Sequence, residues 1–219
     1  RVPAYRADIL HPVDLVEEIA IGLGYDNIPE QLPKKARFGS ALDSRKMEVE
    51  CRETMLGLGF QEVVTLTLTS TNNLHENTGR ESENEATVSN PVTEDYHVLR
   101  SSILPNLVEL LKNNRHRELP QKVFEVGQVV KEHSTRTSLS WLELASKATF
   151  SSAKATAEII SQRLELDGEI VDEEDSIFIP GRYVQIKSED FNLRYGEIHP
   201  RTLEKFEIGY PAIGGEIVW

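Results

Sequence analysis

At 219 residues the chain is long enough for one large domain, or for a domain with an appendage, and its 39% of aliphatic and aromatic residues suffices for a core. No apolar run reaches the ~20 residues that span a bilayer, and the 27% of charged residues suits a globular surface. With 24 basic against 36 acidic residues the formal charge is −12, so the surface as a whole repels nucleic acid and any RNA contact needs a local patch.

The chain opens on Arg1-Val2-Pro3-Ala4-Tyr5 without an initiator methionine, as expected of a chain that begins partway through a domain. Residues 11–23 read as a short helix, with Leu15, Val16, Ile19, Ala20 and Leu23 on one face and Gly22 and Gly24 as stop signals. Pro29, Pro33, Gly39 and Ser40 mark a linker, so the expected organisation is residues 1–28, a linker over 29–42, and a main module over 43–219. Met47, Cys51, Met55 and Leu58 repeat at helical spacing, predicting a helix over 43–58 capped by Ser40 or Asp43 and closed by Gly57 and Gly59. Residues 60–69 alternate Val64, Leu66 and Leu68 with threonines, the pattern of a half-buried strand. The acidic stretch 71–85, with Glu76, Glu81, Glu83 and Glu85, reads as an exposed loop.

A second helix is expected over 102–114, with Leu104, Leu107, Val108 and Leu111 inward and Pro105 in the first turn. Residues 121–132 read as a hairpin or bulged strand around Gly127, and 138–149 as a further strand. Ala153, Ala157, Ile160 and Leu164 predict a helix over 153–166. Strands at 169–171, 178–186, 193–198 and 212–218, with a short helix at 200–206, complete the chain. The elements lack the regular beat of a parallel sheet. The expectation is an α+β fold, a mainly antiparallel sheet with helices on one side.

The most chemical feature is the set Asp8, Asp14, Glu17 and Glu18. On a helix, 14, 17 and 18 stand at i, i+3 and i+4, so their carboxylates share a face over which Asp8 could fold. Hard oxygen donors of this kind suit Mg2+, whereas acids in a first helical turn also stabilise the helix dipole without any metal. Four crowded negative charges call for a cation or a basic partner among them. The basic run Lys112 to Arg117 has two readings as well, cations complementing a helix C-terminus or a local RNA contact.

Other patterns are missing. Gly22-Leu23-Gly24-Tyr25 ends a helix and is no phosphate loop, and one cysteine with six scattered histidines gives no zinc spacing. His11, His97, His116 and His199 read as structural or surface histidines. The single Cys51 excludes an intrachain disulfide and suits a reducing compartment, so a cytoplasmic location is expected.

Two stretches resemble a known family. Val2-Pro3-Ala4-Tyr5-Arg6-Ala7-Asp8-Ile9-Leu10, continuing through Asp14-Leu15-Val16-Glu17-Glu18 to Gly24-Tyr25-Asp26-Asn27-Ile28-Pro29, is similar to the end of the metal-binding domain of phenylalanyl-tRNA synthetase beta chains of the archaeal and eukaryotic type. Ser89-Asn90-Pro91-Val92-Thr93-Glu94-Asp95, Leu99 to Pro105 and Phe124-Glu125-Val126-Gly127 resemble the catalytic-like module of the same subunit. Pro180-Gly181-Arg182 and Gly196-Glu197-Ile198-His199-Pro200 follow in the same order.

The resemblance implies a C-terminal fragment of the beta chain with a class II synthetase-like core, residues 43–69 filling the role of its first helix and strand. It implies that Asp8, Asp14, Glu17 and Glu18 ligate Mg2+ at a site shared with the alpha subunit. The expected assembly is two alpha and two beta chains, with ATP and tRNA bound by the holoenzyme. Its helices pack between alpha and beta chains, which makes Val49 and Leu56 the exposed apolar positions to watch. Adenylate formation needs fixed cations aimed at the transferring phosphorus. Class II catalytic cores carry an arginine just before the glutamate matching Glu125 and another after the last glycine-rich strand. Here Val123-Phe124 precede Glu125, and Gly209 to Trp219 contain no arginine. The expectation is therefore a scaffold with no catalytic or cofactor-binding residue of its own, inactive alone. A self-sufficient class II-like enzyme forming an adenylate or amide is the alternative.

Overall fold

The computed structural model describes residues 2–32, 39–82 and 85–219, the side chain of residue 44 excepted. The chain divides into two compact units, Arg1–Ser40 and Ala41–Trp219. Pro33 of the expected linker and Glu83 of the expected loop lie outside the described residues.

In the first unit helix α1 spans Pro12–Leu23. His11 caps it: its ring accepts from the Val13 N–H at 3.2 Å, while Asp14 returns an acceptor to the His11 N–H at 2.7 Å. This reciprocal box, with Pro12 where a missing N–H costs nothing, fixes the start. Gly24, at φ 80°, ends the helix where a side chain would be strained. None of its residues is buried, so Leu15, Val16, Ile19 and Leu23 form an exposed apolar face.

The second unit is built on a seven-stranded sheet ordered β1-β4-β5-β9-β8-β7-β6. The strands are β1 (Gln61–Glu62), β4 (Gln121–Lys131), β5 (Ser134–Leu144), β6 (Glu169–Val171), β7 (Phe178–Lys187), β8 (Asn192–Ile198) and β9 (Ala212–Val218). Among the described residues only the β1–β4 pair is parallel. Two further short strands, β2 (Leu68–Thr69) and β3 (Val98–Leu99), pair separately. The helices are α2 (Asp43–Gly57), α3 (Leu104–Asn113), α4 (Phe150–Arg163) and α5 (Pro200–Lys205).

Alternation along the strands sends successive side chains to opposite faces. Val123, Val129, Leu142 and Val218 join α3 and α5 in one core, through Leu104, Leu107, Leu111, Leu203 and Phe206. Phe124, Val126, Leu139, Trp141 and Ile217 join α2 and α4 in the other, through Cys51, Met55, Ala153, Ala157 and Ile160. The helices therefore flank both faces, which corrects the expectation of helices on one side: each face carries enough apolar side chains to need its own cover.

Four local expectations are also corrected. Helix α2 is capped by Leu42 with no side-chain hydrogen bond, instead of by Ser40 or Asp43. Residues 60–69 do not form one continuous strand: Gln61–Glu62 and Leu68–Thr69 pair with different partners, and Val64 and Leu66 between them are 87% and 61% exposed. The Thr65 N–H and hydroxyl both donate to Glu125, at 3.1 and 2.6 Å, which draws the chain out of the ladder. Within 71–85, a π-helical turn at Asn72–Glu76 buries Asn73, Leu74 and His75, so this stretch is no exposed loop. Leu74 supplies the apolar anchor, and the Asn73 amide donates to Glu109 at 2.5 Å. Finally, β4 runs unbroken through Gly127, which pairs with Ser138. The reversal falls at Glu132 and His133, both at positive φ in a two-residue turn.

Candidate functional site

The four acidic residues of the first unit are placed differently from one another. The Arg6 guanidinium donates to Asp8 at 2.7 Å and to Glu18 at 2.6 Å, bringing these two carboxylates around one cation. Hydrogen bonding to Arg6 holds the Asp8 carboxyl at about 2, below the usual carboxylate range. Asp14 faces the backbone, accepting from the Leu10 and His11 N–H groups at 2.8 and 2.7 Å. Glu17 is exposed. As donors the four suit a hard divalent ion. As arranged, two of them share a guanidinium and a third serves as a helix cap. Among the described residues no group of three or more His, Cys, Asp or Glu is gathered to hold a metal.

The densest chemistry lies on the α3 face of the sheet, where the same alternation that builds the core places Glu125, Ser138, Ser140, Arg194 and Glu216. Two buried networks result. In the first, Arg100 donates to Glu125 at 2.7 Å, to the Thr65 hydroxyl at 2.8 Å and to the Gln128 carbonyl at 3.0 Å. Gly127 is what makes room: a Cβ there would stand 2.6 Å from the Arg100 guanidinium.

In the second network Glu216, fully buried, accepts from the Ile103 N–H and the Ser140 hydroxyl at 2.7 Å on one oxygen. Its other oxygen accepts from the Ser102 hydroxyl at 2.7 Å and Arg194 at 2.9 Å. Helix α3 lacks a side-chain cap of its own, and Glu216 places negative charge at its positive end from a different element. Arg194 also donates to Asp175 at 2.8 Å, and Arg80 grips the same carboxylate through two bonds of 2.8 Å. Burial by itself would lift the Glu216 carboxyl. The charges of Arg194, Lys131 and Arg80 and the Ser140 hydroxyl overcome it and hold the group at about 2. Asp175 is held well below the usual range against the same burial penalty, by Arg80 and Arg194.

Two clefts open on this unit. One of about 740 Å³ lies between the C-terminal ends of α2 and α3, lined by Leu58, Val63, Leu110, Arg117 and Lys122. The other, about 810 Å³, is bounded by Arg80, Asp175, Arg194, Tyr183 and α5. Of the basic run, Lys112 and Arg115 both pair with Glu207, at 2.9 and 3.0 Å, which favours the helix-end reading over a free polyanion patch. His11 and His199 act as helix caps, and the His97 ring lies between the Thr71 hydroxyl and the Glu94 carbonyl. The buried His75, with Nε2 2.5 Å from Glu85, is one that sequence reasoning passed over.

A family model described as the phenylalanyl tRNA synthetase beta chain CLM domain matches residues 28–219. The chain belongs to this family. A second model, the tRNA synthetase B5 domain, matches residues 1–25. Relatives named phenylalanine–tRNA ligase beta subunit include those of Archaeoglobus fulgidus and Methanosarcina acetivorans, each 38% identical over 99% of this chain and 40% of their own length. That of Methanococcoides burtonii is 39% identical, with the same coverage. The chain thus spans about two-fifths of these archaeal relatives. Among solved structures, a pyrrolysyl tRNA synthetase from Desulfitobacterium hafniense covers 80% of the chain and 66% of its own, at 19% identity and a TM-score of 0.65. At that identity the likeness is one of fold: the family's sheet and flanking helices are those of a class II-like synthetase core.

Sequence reasoning looked for arginines only beside Glu125 and after the glycine-rich last strand. It missed that Arg80, Arg100 and Arg194 reach the same sheet face from elsewhere. The one available signal was a charged residue, Glu216, inside the apolar run of β9, which demands a buried partner.

Proposed function

We propose that the chain serves phenylalanine–tRNA ligase, which charges tRNA with phenylalanine at the expense of ATP, as a non-catalytic part of the beta chain that scaffolds the catalytic alpha subunit. One observation carries the non-catalytic reading. The cations on the sheet face that would meet a nucleotide phosphate are engaged by the protein's own carboxylates, Arg100 by Glu125 and Arg194 by Glu216 and Asp175. A phosphate would have to displace buried ion pairs to reach them. Exposed Val49 and Leu56 on α2 supply apolar area for a partner helix. In this reading tRNA is met through an assembly of two alpha and two beta chains in the cytoplasm.

The second part of the proposal concerns Mg2+. Asp8 and Glu18, released from Arg6, would hold the ion together with Asp14 and Glu17, at a site shared with the alpha subunit; carboxylate oxygens bind it directly while water fills the remaining positions.

Co-purification with an alpha chain, with and without Mg2+, tests the assembly, and ATP–pyrophosphate exchange by this chain alone tests its silence. Stable capture and no exchange are expected. Exchange above background would establish the self-sufficient enzyme instead. Asp14→Asn with Glu18→Gln should weaken Mg2+ binding and capture together, with helix content followed by circular dichroism because Asp14 also caps α1. Unchanged capture and unchanged Mg2+ binding would remove the metal from the proposal.

A further inference from the structure

We propose that the arginine wall of the larger cleft is an oxyanion-binding site occupied by the chain's own Asp175, which acts as a built-in ligand and keeps the cleft closed to free anions. Asp175 is buried whereas its neighbours Glu174 and Ser176 are exposed, so the loop before β7 turns this one carboxylate inward. Its Oδ2 accepts from both Arg80 and Arg194 at 2.8 Å, and its Oδ1 accepts from Arg80 at 2.8 Å. A forked grip from one guanidinium with a bridge to a second is how paired arginines hold a free carboxylate or phosphate.

Glu216 makes a useful contrast. It is sealed in the core and meets Ser102, Ser140 and the Ile103 N–H, whereas Arg80, Asp175 and Arg194 all line the cleft. At about 810 Å³ the cleft falls within the range of small-molecule sites. Arg201 and Lys205 of α5 add positive charge at its edge, offset by Glu81 and Glu174. The three gripping residues come from three separate segments: the loop after the π-helical turn, the loop before β7, and β8. An internal carboxylate therefore gives what a diffusible anion cannot, a covalent tether of the anion to the fold. The depressed titration of Asp175 keeps it charged, and the wall filled, throughout the ordinary pH range.

The inference extends the non-catalytic reading to a second part of the sheet face, but its readout is stability and not exchange, so either can fail alone. The experiment is anion rescue of Asp175→Ala in the full 219-residue chain. Thermal denaturation is followed in formate, in inorganic phosphate, and in chloride at matched ionic strength. The variant should melt several degrees below the parent, and formate or phosphate should saturably recover at least half of that loss while chloride does not; which of the two acts tells a carboxylate site from a phosphate site. Adding Arg194→Met should abolish the recovery. A folded variant that no oxyanion stabilises beyond chloride overturns the proposal, as does equal stabilisation of the parent, whose site would then be open. Should Asp175→Ala fail to fold, Asp175→Asn is refolded with and without phosphate, and an unchanged yield overturns it equally.

Discussion

Two regions of this chain grip carboxylates with arginine, and burial makes them different objects. In the first unit Arg6 joins Asp8 and Glu18 at the surface; in the second, Arg80 and Arg194 join Asp175 and Glu216 beneath α3. The distances are alike, between 2.6 and 2.9 Å. Asp8 and Glu216 are even depressed to the same value, about 2. The causes differ. Asp8 loses almost nothing on folding and gains a hydrogen bond, whereas Glu216 loses all its water and recovers the loss only through three nearby charges and a full set of donors. Surface pairs of the first kind are weak and screened, while a buried pair is costly to form and costlier to break.

The largest expected effect follows from breaking the buried side. Glu216→Ala takes from Arg194 one of its two carboxylate partners, leaves the Ser102 and Ser140 hydroxyls without their acceptor and uncaps α3, so unfolding in urea should show a loss of about 3–5 kcal/mol. Glu18→Ala at the surface should leave the same transition in place. Acid is the next lever. The folded-state values of Glu216 and Asp175 lie below those of the unfolded chain, so their contribution is complete above the unfolded carboxylate range and disappears as pH falls through the folded values. The second unit should hold its near-ultraviolet dichroism down to about pH 4 and lose it between about pH 4 and 2. Retention of that signal below pH 2 would mean that the network contributes little.

The two regions also differ in how much of them could be read beforehand. Helix α1 and its caps are written in adjacent residues, since His11, Pro12, Asp14 and Gly24 all act within one turn of the helix ends. The stripe of Cys51 and Met55 on α2 and the strands β6 to β9 were equally local. The buried networks were not legible, because their pairs are distant in sequence: Arg80 with Asp175 across 95 positions, and Ser102 with Glu216 across 114. The failed strand at 60–69 has the same origin. Its alternation is real, but Thr65 is claimed by Glu125 sixty residues later, and Val64 and Leu66 face solvent. In the acidic set, spacing put 14, 17 and 18 on one helix, yet it could not say that Arg6 would take Glu18 or that backbone N–H groups would take Asp14.

The finest test uses salt, because it separates the two causes behind one titration value. Carbon-detected NMR of the carboxyl groups should find Asp8 titrating near 2 in dilute buffer, and Glu216 charged for as long as the second unit stays folded. At roughly 1 M salt the screening length falls to ~3 Å, comparable to the Arg6–Asp8 distance, and solvent ions reach that pair from every side. Asp8 should then climb toward the ordinary carboxylate range, and Arg6→Met should produce the same climb without salt. Glu216 has no exposed surface through which ions can approach, so its titration should stay put until the unit unfolds. If both groups moved together with salt, the sheet face would be open to solvent ions, and Arg194 would be available to an incoming phosphate after all.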